Sequence, residues 1–225
     1  MSRITPYRDR EEAGALLAAT LQDQVGENWV VAAIPRGGVP VAWPIAQRLR
    51  APLTLSFAHK LTLPEFPEMA LGALDEDGEL ITSGAVLDCG TFDRLAEAQD
   101  HVGREIERQR RLYPAVPLAD LLLDSGVILV DDGTATGLTL QAAIAHARHH
   151  GAREVIVATP CASVPAARHL IRLADRFVCP WVQSALMAVG EFYVDFHHVT
   201  DREVVDLLVR ARAAWSARAT PAGRS

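Results

Sequence analysis

The stretch that decides the fold is VILVDDGTATGLT, residues 127–139, which runs from four apolar residues into two aspartates and then into a small-residue loop. An apolar run of this length bounded by turn residues predicts a buried parallel strand. The segment LTLQAAIAHARHHG, residues 138–151, has helical spacing, with Gly151 as its C-terminal cap. The loop therefore joins a strand to a helix.

This loop has the chemistry of an anion site. Gly133 and Gly137 permit backbone conformations that other residues avoid, and a loop that enters a helix N-terminus leaves several N–H groups unpaired. The hydroxyls of Thr134, Thr136 and Thr139 add further donors. A phosphate monoester could be held by these neutral donors and by the helix dipole, without any lysine.

Asp131 and Asp132 would repel such a phosphate unless they face another group. Ribose hydroxyls, which donate hydrogen bonds to carboxylates, or a bound Mg²⁺ would both serve. We therefore expect a sugar phosphate, with its phosphate on the loop and its diol on the two aspartates. A DG dipeptide alone is often only a strand-ending turn. The stretch contains neither the lysine of a P-loop nor the G-x-G-x-x-G pattern of dinucleotide sites.

Outside this stretch, strand-like and helix-like segments alternate. The predicted strands are 29–34, 53–58, 126–132, 154–160 and 176–179, and the predicted helices are 10–25, 41–50, 91–113, 138–150, 162–174 and one from about residue 201. This order predicts an α/β fold with a doubly wound, mainly parallel sheet. We predict a single domain over residues 1–212, followed by a disordered tail at 213–225.

Composition restricts the class of protein. The chain has 225 residues and a formal net charge of −6, which argues against nucleic acid and anionic membranes as partners. The cysteines at 89, 161 and 179 are odd in number and scattered, and the first residues do not form a secretory signal. No apolar stretch reaches the roughly 18 residues of a membrane span. These features predict a soluble, cytoplasmic protein with reduced thiols.

Ligands of doubly wound sheets bind at the carboxyl ends of the strands. Three segments should meet there: PRGG (residues 35–38) after the first strand, His59 and Lys60 after the second, and the DDGTATGLT loop after the third. Residues 60–82 contain two prolines and an acidic turn, and they are interpreted as a long loop or loose hairpin.

The quoted segments resemble the type I phosphoribosyltransferases. VILVDDGTATGLT is similar to the phosphoribosyl-pyrophosphate signature of that family, and PRGG is similar to its pyrophosphate loop. Together with HKL (59–61), EMALGA (68–73) and VGEFYVDF (189–196), these segments most resemble a stand-alone bacterial group whose physiological substrate is generally unassigned. The likeness covers roughly residues 7–212. It implies an enzyme that moves ribose 5-phosphate from phosphoribosyl pyrophosphate to a nucleobase or similar nitrogen acceptor.

The resemblance implies a role for each segment. The predicted catalytic residues are Asp131 and Asp132 on the ribose hydroxyls, with Arg36 and Lys60 on the pyrophosphate. The predicted substrate-binding residues are Gly37, Gly38, Gly133, Thr134, Ala135, Thr136, Gly137 and Thr139. The peptide between Pro35 and Arg36 should be cis or strained. Mg²⁺ is the expected cofactor, held by Asp131 and Asp132, directly or through water.

The family also implies a flexible flap at about residues 60–82 and a small C-terminal hood at about 180–200. Acceptor contacts are expected from Trp181, Tyr193 and Asp195 of the hood. In 6-oxopurine members an aspartate often occupies the third loop position as the proposed general base, whereas this chain has Ala135 there. A 6-oxopurine mechanism is therefore in doubt, and the acceptor is undetermined.

Two other functions are compatible with these patterns. One is a regulatory protein that binds phosphoribosyl pyrophosphate or a nucleotide without catalysis. The other is a receiver-type phosphoacceptor domain, although that fold has its acidic pair near its first strand. The sequence leaves a homo-oligomer open. We interpret His146, His149 and His150 as the polar end of a helix. A third metal ligand at sensible spacing is lacking for His197 and His198. We therefore predict no metal site built from histidine.

Overall fold

The computed structural model describes residues 6–63, 66–82, 92–184, 186 and 188–219. The strands are β1 (Trp29–Ala33), β2 (Leu53–Leu55), β3 (His59–Leu63), β4 (Phe66–Leu74), β5 (Leu80–Thr82), β6 (Gly126–Val130), β7 (Glu154–Ala158), β8 (Cys161–Ser163), β9 (Arg176–Val178) and β10 (Trp181–Gln183). The helices are α1 (Arg10–Gln22), α2 (Gly38–Leu49), α3 (Phe92–Leu112), α4 (Leu138–His149), α5 (Val164–Leu173) and α6 (Asp201–Ala219).

The central sheet has five parallel strands in the order β2-β1-β6-β7-β9. Every residue of β1 and β6 is buried, and the apolar side chains separate into two clusters by strand alternation. Val31 and Ile128 pack with α1, α2, α3 and α6, whereas Val30 and Leu129 pack with α4 and α5. Helices thus cover both faces, and the predicted doubly wound fold is confirmed.

The strand order reverses between β1 and β6. The chain continues outward from β1 to β2 and then returns to β6 on the other side of β1. A reversal of this kind opens a crevice at the carboxyl ends of the two strands. It brings the segment after β1 next to the segment after β6, where the Ile34 N–H donates to the Val130 carbonyl at 2.8 Å.

Residues 59–82 differ from the predicted long loop or loose hairpin. Their described part is a three-stranded antiparallel sheet in the order β3-β4-β5. Leu61, Leu71 and Leu74 of this sheet are buried in the main core, so the segment is held by apolar packing. The two prolines and the acidic turn obscured the strand pattern of this segment in the sequence. Closure of this flap over a ligand stays a prediction.

The hood consists of β10, which pairs in parallel with β8, and a short 3₁₀ helix at Val189–Phe192. The tail predicted from residue 213 also differs, because α6 continues to Ala219. Four of the seven residues at 213–219 are alanine, the strongest helix former. Residues 220–225 lie outside the described part. Among the described helices, none combines the length and apolarity that crossing a bilayer requires.

Candidate functional site

Asp131 and Asp132 follow β6 directly and lie at the carboxyl end of the central strand, both partly buried. The Asp131 Oδ1 accepts a hydrogen bond from the Asp132 N–H at 2.9 Å. Burial, together with the charge of Asp132, raises the pKa of Asp131 to about 8. Two carboxylates held this close favour a ligand that donates hydrogen bonds or carries positive charge.

Arg10, the first residue of α1, is a part of this site that sequence reasoning missed. Its Nε donates to Asp132 Oδ2 at 2.8 Å, and its Nη1 donates to the His197 carbonyl at 2.8 Å. The guanidinium carbon lies 3.9 Å from the centre of the Phe196 ring. The side chain is only 8% exposed. One signal was available in the sequence, because a cation in the first turn of a helix opposes the helix dipole and needs another partner.

The loop at residues 133–137 enters α4 and is fixed against β8. The Thr134 N–H donates to the Cys161 carbonyl at 2.9 Å, and the Ser163 hydroxyl donates to the Ala135 carbonyl at 2.6 Å. Gly137 has φ +77°, a left-handed conformation that glycine adopts without strain, and its N–H donates to the Thr134 hydroxyl at 3.0 Å.

This arrangement leaves backbone donors for a ligand. Within the described residues, the N–H groups of Gly133, Ala135 and Thr136 donate to no protein acceptor. They lie at the N-terminus of a helix of 12 residues, where the dipole favours an anion. Thr136 is exposed, and its Oγ1 accepts from the Leu138 N–H at 3.4 Å, so its hydroxyl proton is free for a ligand. Thr139 lies in the first turn of α4.

The PRGG segment lies against the aspartates. The peptide bond between Pro35 and Arg36 is cis, as expected. A Cβ added at Gly37 would lie 2.1 Å from Asp132 Oδ2, and one added at Gly38 would lie 2.5 Å from the Val130 carbonyl oxygen. Glycine therefore allows the two segments to touch.

Gly37→Ala is expected to weaken binding of pyrophosphate and phosphoribosyl pyrophosphate, because the added methyl displaces the Asp132 carboxylate or the backbone beside it. Calorimetry with both ligands measures the effect. Gly26→Ala is the matched control, since nothing lies within 4 Å of its added Cβ. Unchanged affinity in folded Gly37→Ala would separate this loop from the ligand site.

The two predicted cations, Arg36 and Lys60, have different neighbours. The Arg36 Nη1 lies 3.6 Å from Asp201 Oδ1 at the start of α6. Lys60 is exposed on β3, and its charge is among the influences that lower the pKa values of Asp131 and Asp132 against the larger effect of burial. The structure therefore brings Lys60 within electrostatic range of the acidic pair.

The hood residues occupy three different environments. Tyr193 is 6% exposed, and its hydroxyl donates to the Asp132 carbonyl at 2.6 Å, so it supports the site while offering little surface to an acceptor. Trp181 is half-buried beside Tyr7 and Phe192. Asp195 is exposed, and its Oδ1 lies 3.0 Å from Nδ1 of His197. The acceptor roles of these residues stay predictions.

An open cleft of about 410 Å³ lies between the PRGG segment, the acidic pair and the hood. Its lining consists of Arg10, Arg36, Gly37, Asp132, Phe196, His197, His198 and Val199. Cationic and aromatic groups thus face the same space as the carboxylate.

One known protein family matches most of this chain. The phosphoribosyl transferase domain family matches residues 2–185, most of the chain. The chain belongs to this family. The predicted resemblance to the family is therefore confirmed.

Individual relatives of known sequence or structure support the same family assignment. A protein from two strains of Mycobacterium tuberculosis, provisionally named a phosphoribosyl transferase, is 38% identical over 211 residues, or 91% of this chain. The match covers 47% of that protein, so the chain spans about half the length of these relatives. A crystal structure from Thermus thermophilus has a TM-score of 0.72 and 37% identity, and the match covers 92% of this chain and 99% of that one.

Proposed function

We propose that this protein transfers ribose 5-phosphate from phosphoribosyl pyrophosphate to a nitrogen acceptor, a nucleobase or a similar small molecule, with release of pyrophosphate. The observation that carries the proposal is the meeting of three segments at one crevice: an acidic pair, a helix-entry loop with outward N–H groups, and the PRGG turn touching Asp132. Family membership supports the same reaction class.

Each segment suits one part of the donor. The carboxylates of Asp131 and Asp132 can accept hydrogen bonds from the ribose 2- and 3-hydroxyls. The loop N–H groups and the Thr136 hydroxyl can hold the 5-phosphate at the helix N-terminus. The backbone of Gly37 and Gly38, with Arg36 and Lys60, can hold the pyrophosphate.

The acidic pair also fits Mg²⁺, which prefers carboxylate oxygens and water as ligands. Burial and, after it, the charge of Asp132 raise the pKa of Asp131, and a bound cation would offset both effects. Asp131 and Asp132 would hold the ion directly or through water. When bound, the ion supplies positive charge that neutralises the pyrophosphate leaving group.

The protein's own part in the reaction is positioning, charge stabilisation and exclusion of water. The bond between the anomeric carbon and the pyrophosphate oxygen breaks, and its electron pair leaves with pyrophosphate. The acceptor nitrogen forms the new bond to that carbon through an oxocarbenium-like transition state and loses a proton if it carries one. Arg36 and Lys60 stabilise the departing charge, and no protein nucleophile is needed.

The acceptor is the least specified part of this proposal. Ala135 has no carboxylate to receive a proton at the loop, which disfavours a 6-oxopurine mechanism. The cleft beside Phe196 and His197 offers an aromatic ring and an imidazole to a planar acceptor. A screen of bases and small amines with phosphoribosyl pyrophosphate and Mg²⁺, scored by pyrophosphate release, would identify it. Tight donor binding without release for any acceptor would instead support a regulatory protein.

Thr136→Ala is expected to weaken ribose 5-phosphate and phosphoribosyl pyrophosphate to a similar degree and to leave free pyrophosphate unaffected, because its hydroxyl faces only the 5-phosphate position. The loss of one hydrogen bond to a charged group is worth roughly 1.5–3 kcal/mol. Calorimetry with the three ligands measures this, with pyrophosphate as the internal control. Equal weakening of all three ligands would show that the loop does not distinguish the two phosphate sites.

A further inference from the structure

A second cluster of polar side chains lies at the C-terminal end of α4, where the turn between β4 and β5 packs against the helix. The Asp77 Oδ2 lies 3.0 Å from Nδ1 of His146 and 2.6 Å from Nε2 of His150. The histidines are four residues apart, so they share one face of the helix. These three atoms all lie within 4.8 Å of one another. The interpretation of His146 and His150 as a mere polar helix end is therefore incomplete.

The buried part of this cluster lacks hydrogen-bond partners. The His146 side chain is 2% exposed; its Nδ1 lies 3.0 Å from Asp77 Oδ2 and its Nε2 lies 3.3 Å from Glu76 Oε1, but neither contact has hydrogen-bond geometry. Glu76 Oε1 is likewise buried without a partner, 3.3 Å from Nε2 of His146. Buried polar groups are nearly always satisfied, so three such atoms in one place indicate a missing ligand. A metal ion is one such ligand, because the carboxylate of Asp77 and the neutral imidazoles of His146 and His150 can each offer it a lone pair.

We propose that Asp77 Oδ2, His146 Nδ1 and His150 Nε2 bind a divalent transition-metal ion of the zinc class, with water completing a tetrahedron. Two imidazoles and one carboxylate match the ligands that Zn²⁺ prefers, whereas Mg²⁺ and Ca²⁺ favour all-oxygen sites. The sequence did not reveal this site, because Asp77 is 69 positions before His146 and only folding brings them together.

Glu76 has the position of a supporting residue. A metal-bound imidazole usually donates its other N–H to a carboxylate, which fixes the ring orientation. With Nδ1 of His146 on the metal, Nε2 carries the proton and Glu76 Oε1 is the acceptor in reach, after a small rotation that improves the angle.

The ion would link α4 to the β3-β4-β5 sheet, at the end of α4 that is remote from the proposed donor site. The 12 residues of α4 span roughly 18 Å, with the phosphate-binding loop at one end and the histidines at the other. The turn at residues 75–79 belongs to the sheet that carries Lys60. A metal here would therefore fix the β3-β4-β5 sheet to α4, and its role is structural. This proposal does not depend on the transferase activity.

The test is titration of tag-free, chelator-treated full-length protein with Co²⁺ and then with Zn²⁺. The parent is expected to bind one equivalent of Co²⁺ with the strong visible absorption of tetrahedral coordination, which Zn²⁺ then displaces. Zn²⁺ should also raise the thermal unfolding midpoint. His150→Gln and Asp77→Asn should each lower the Co²⁺ affinity at least about tenfold. Loss of a residue that only supports a metal ligand has an effect of about this size, and loss of a ligand should have at least as large an effect.

His149→Gln is the matched control, because His149 is exposed at the same helix end and is not one of the three ligands. It should retain parental Co²⁺ affinity and the thermal shift. Asp77 and His150 are partly exposed, so their variants should fold, which circular dichroism checks. A parent that binds no stoichiometric Co²⁺, or a His150→Gln protein that binds it as tightly, would overturn the site and leave only a hydrogen-bonded contact.

Discussion

Asp131→Asn is expected to bind phosphoribosyl pyrophosphate at least about tenfold more weakly than the parent and to unfold at a higher temperature than the parent at pH 8. The weaker binding follows because hydrogen bonds to a charged acceptor are each worth roughly 1.5–3 kcal/mol, and tenfold corresponds to about 1.4 kcal/mol. The higher stability follows because asparagine removes a buried charge that Asp132 repels. Calorimetry and thermal unfolding measure the two effects.

The stability difference should depend on pH. The pKa of Asp131 is about 8 in the folded protein, above the ordinary aspartate value of 3.8, so between these values the folded state binds the additional proton. Stability contributed by this proton is present below about pH 4 and is lost as pH rises toward 8. The parent should therefore approach Asp131→Asn in unfolding midpoint at low pH and fall below it at pH 8.

Asp206→Asn is the control for both measurements, because Asp206 is an exposed residue of α6 whose side chain is 67% accessible. It should change neither donor affinity nor the pH dependence. If folded Asp131→Asn binds the donor as well as the parent does, Asp131 does not hold the ribose hydroxyls, and the sugar-phosphate interpretation of VILVDDGTATGLT fails at that residue.

Arg10→Met is expected to lower the free energy of unfolding by about 3 kcal/mol or more, the usual cost of removing one partner of a buried ion pair. The change leaves Asp132 without its 2.8 Å partner and the His197 carbonyl without a donor. Donor affinity should also fall, because Arg10 orients the Asp132 carboxylate of the proposed ribose site. Urea unfolding gives the stability, and calorimetry gives the affinity.

Arg8→Met is the matched control, since Arg8 is two residues away, 72% exposed, and paired with the partly exposed Asp9. Its effect on stability should be small beside that of Arg10→Met, because solvent screens an exposed ion pair. Adding Asp132→Asn to Arg10→Met should recover part of the lost stability, because no buried charge is then left alone. An Arg10→Met protein as stable as Arg8→Met would show that the pair contributes nothing to folding.

The sequence by itself determined the doubly wound fold, the central β6 strand and the loop into α4. These features follow from local sequence patterns. The strand and helix periods, the positions of Gly137 and Gly151, and the apolar run before Asp131 can each be recognised within a few residues. The resemblance to the phosphoribosyltransferases rested on this stretch as its most specific part, together with PRGG, HKL, EMALGA and VGEFYVDF, and the family comparison confirms it.

Only the tertiary structure decided which side chains surround that stretch. The contact of Arg10 with Asp132 spans 122 positions, and that of Tyr193 with the same residue spans 61. The three-stranded form of the flap and the meeting of Asp77 with His146 likewise depend on packing between distant elements. A lone arginine, tyrosine or histidine has many compatible partners along a chain, and their choice follows from how the helices and sheets pack.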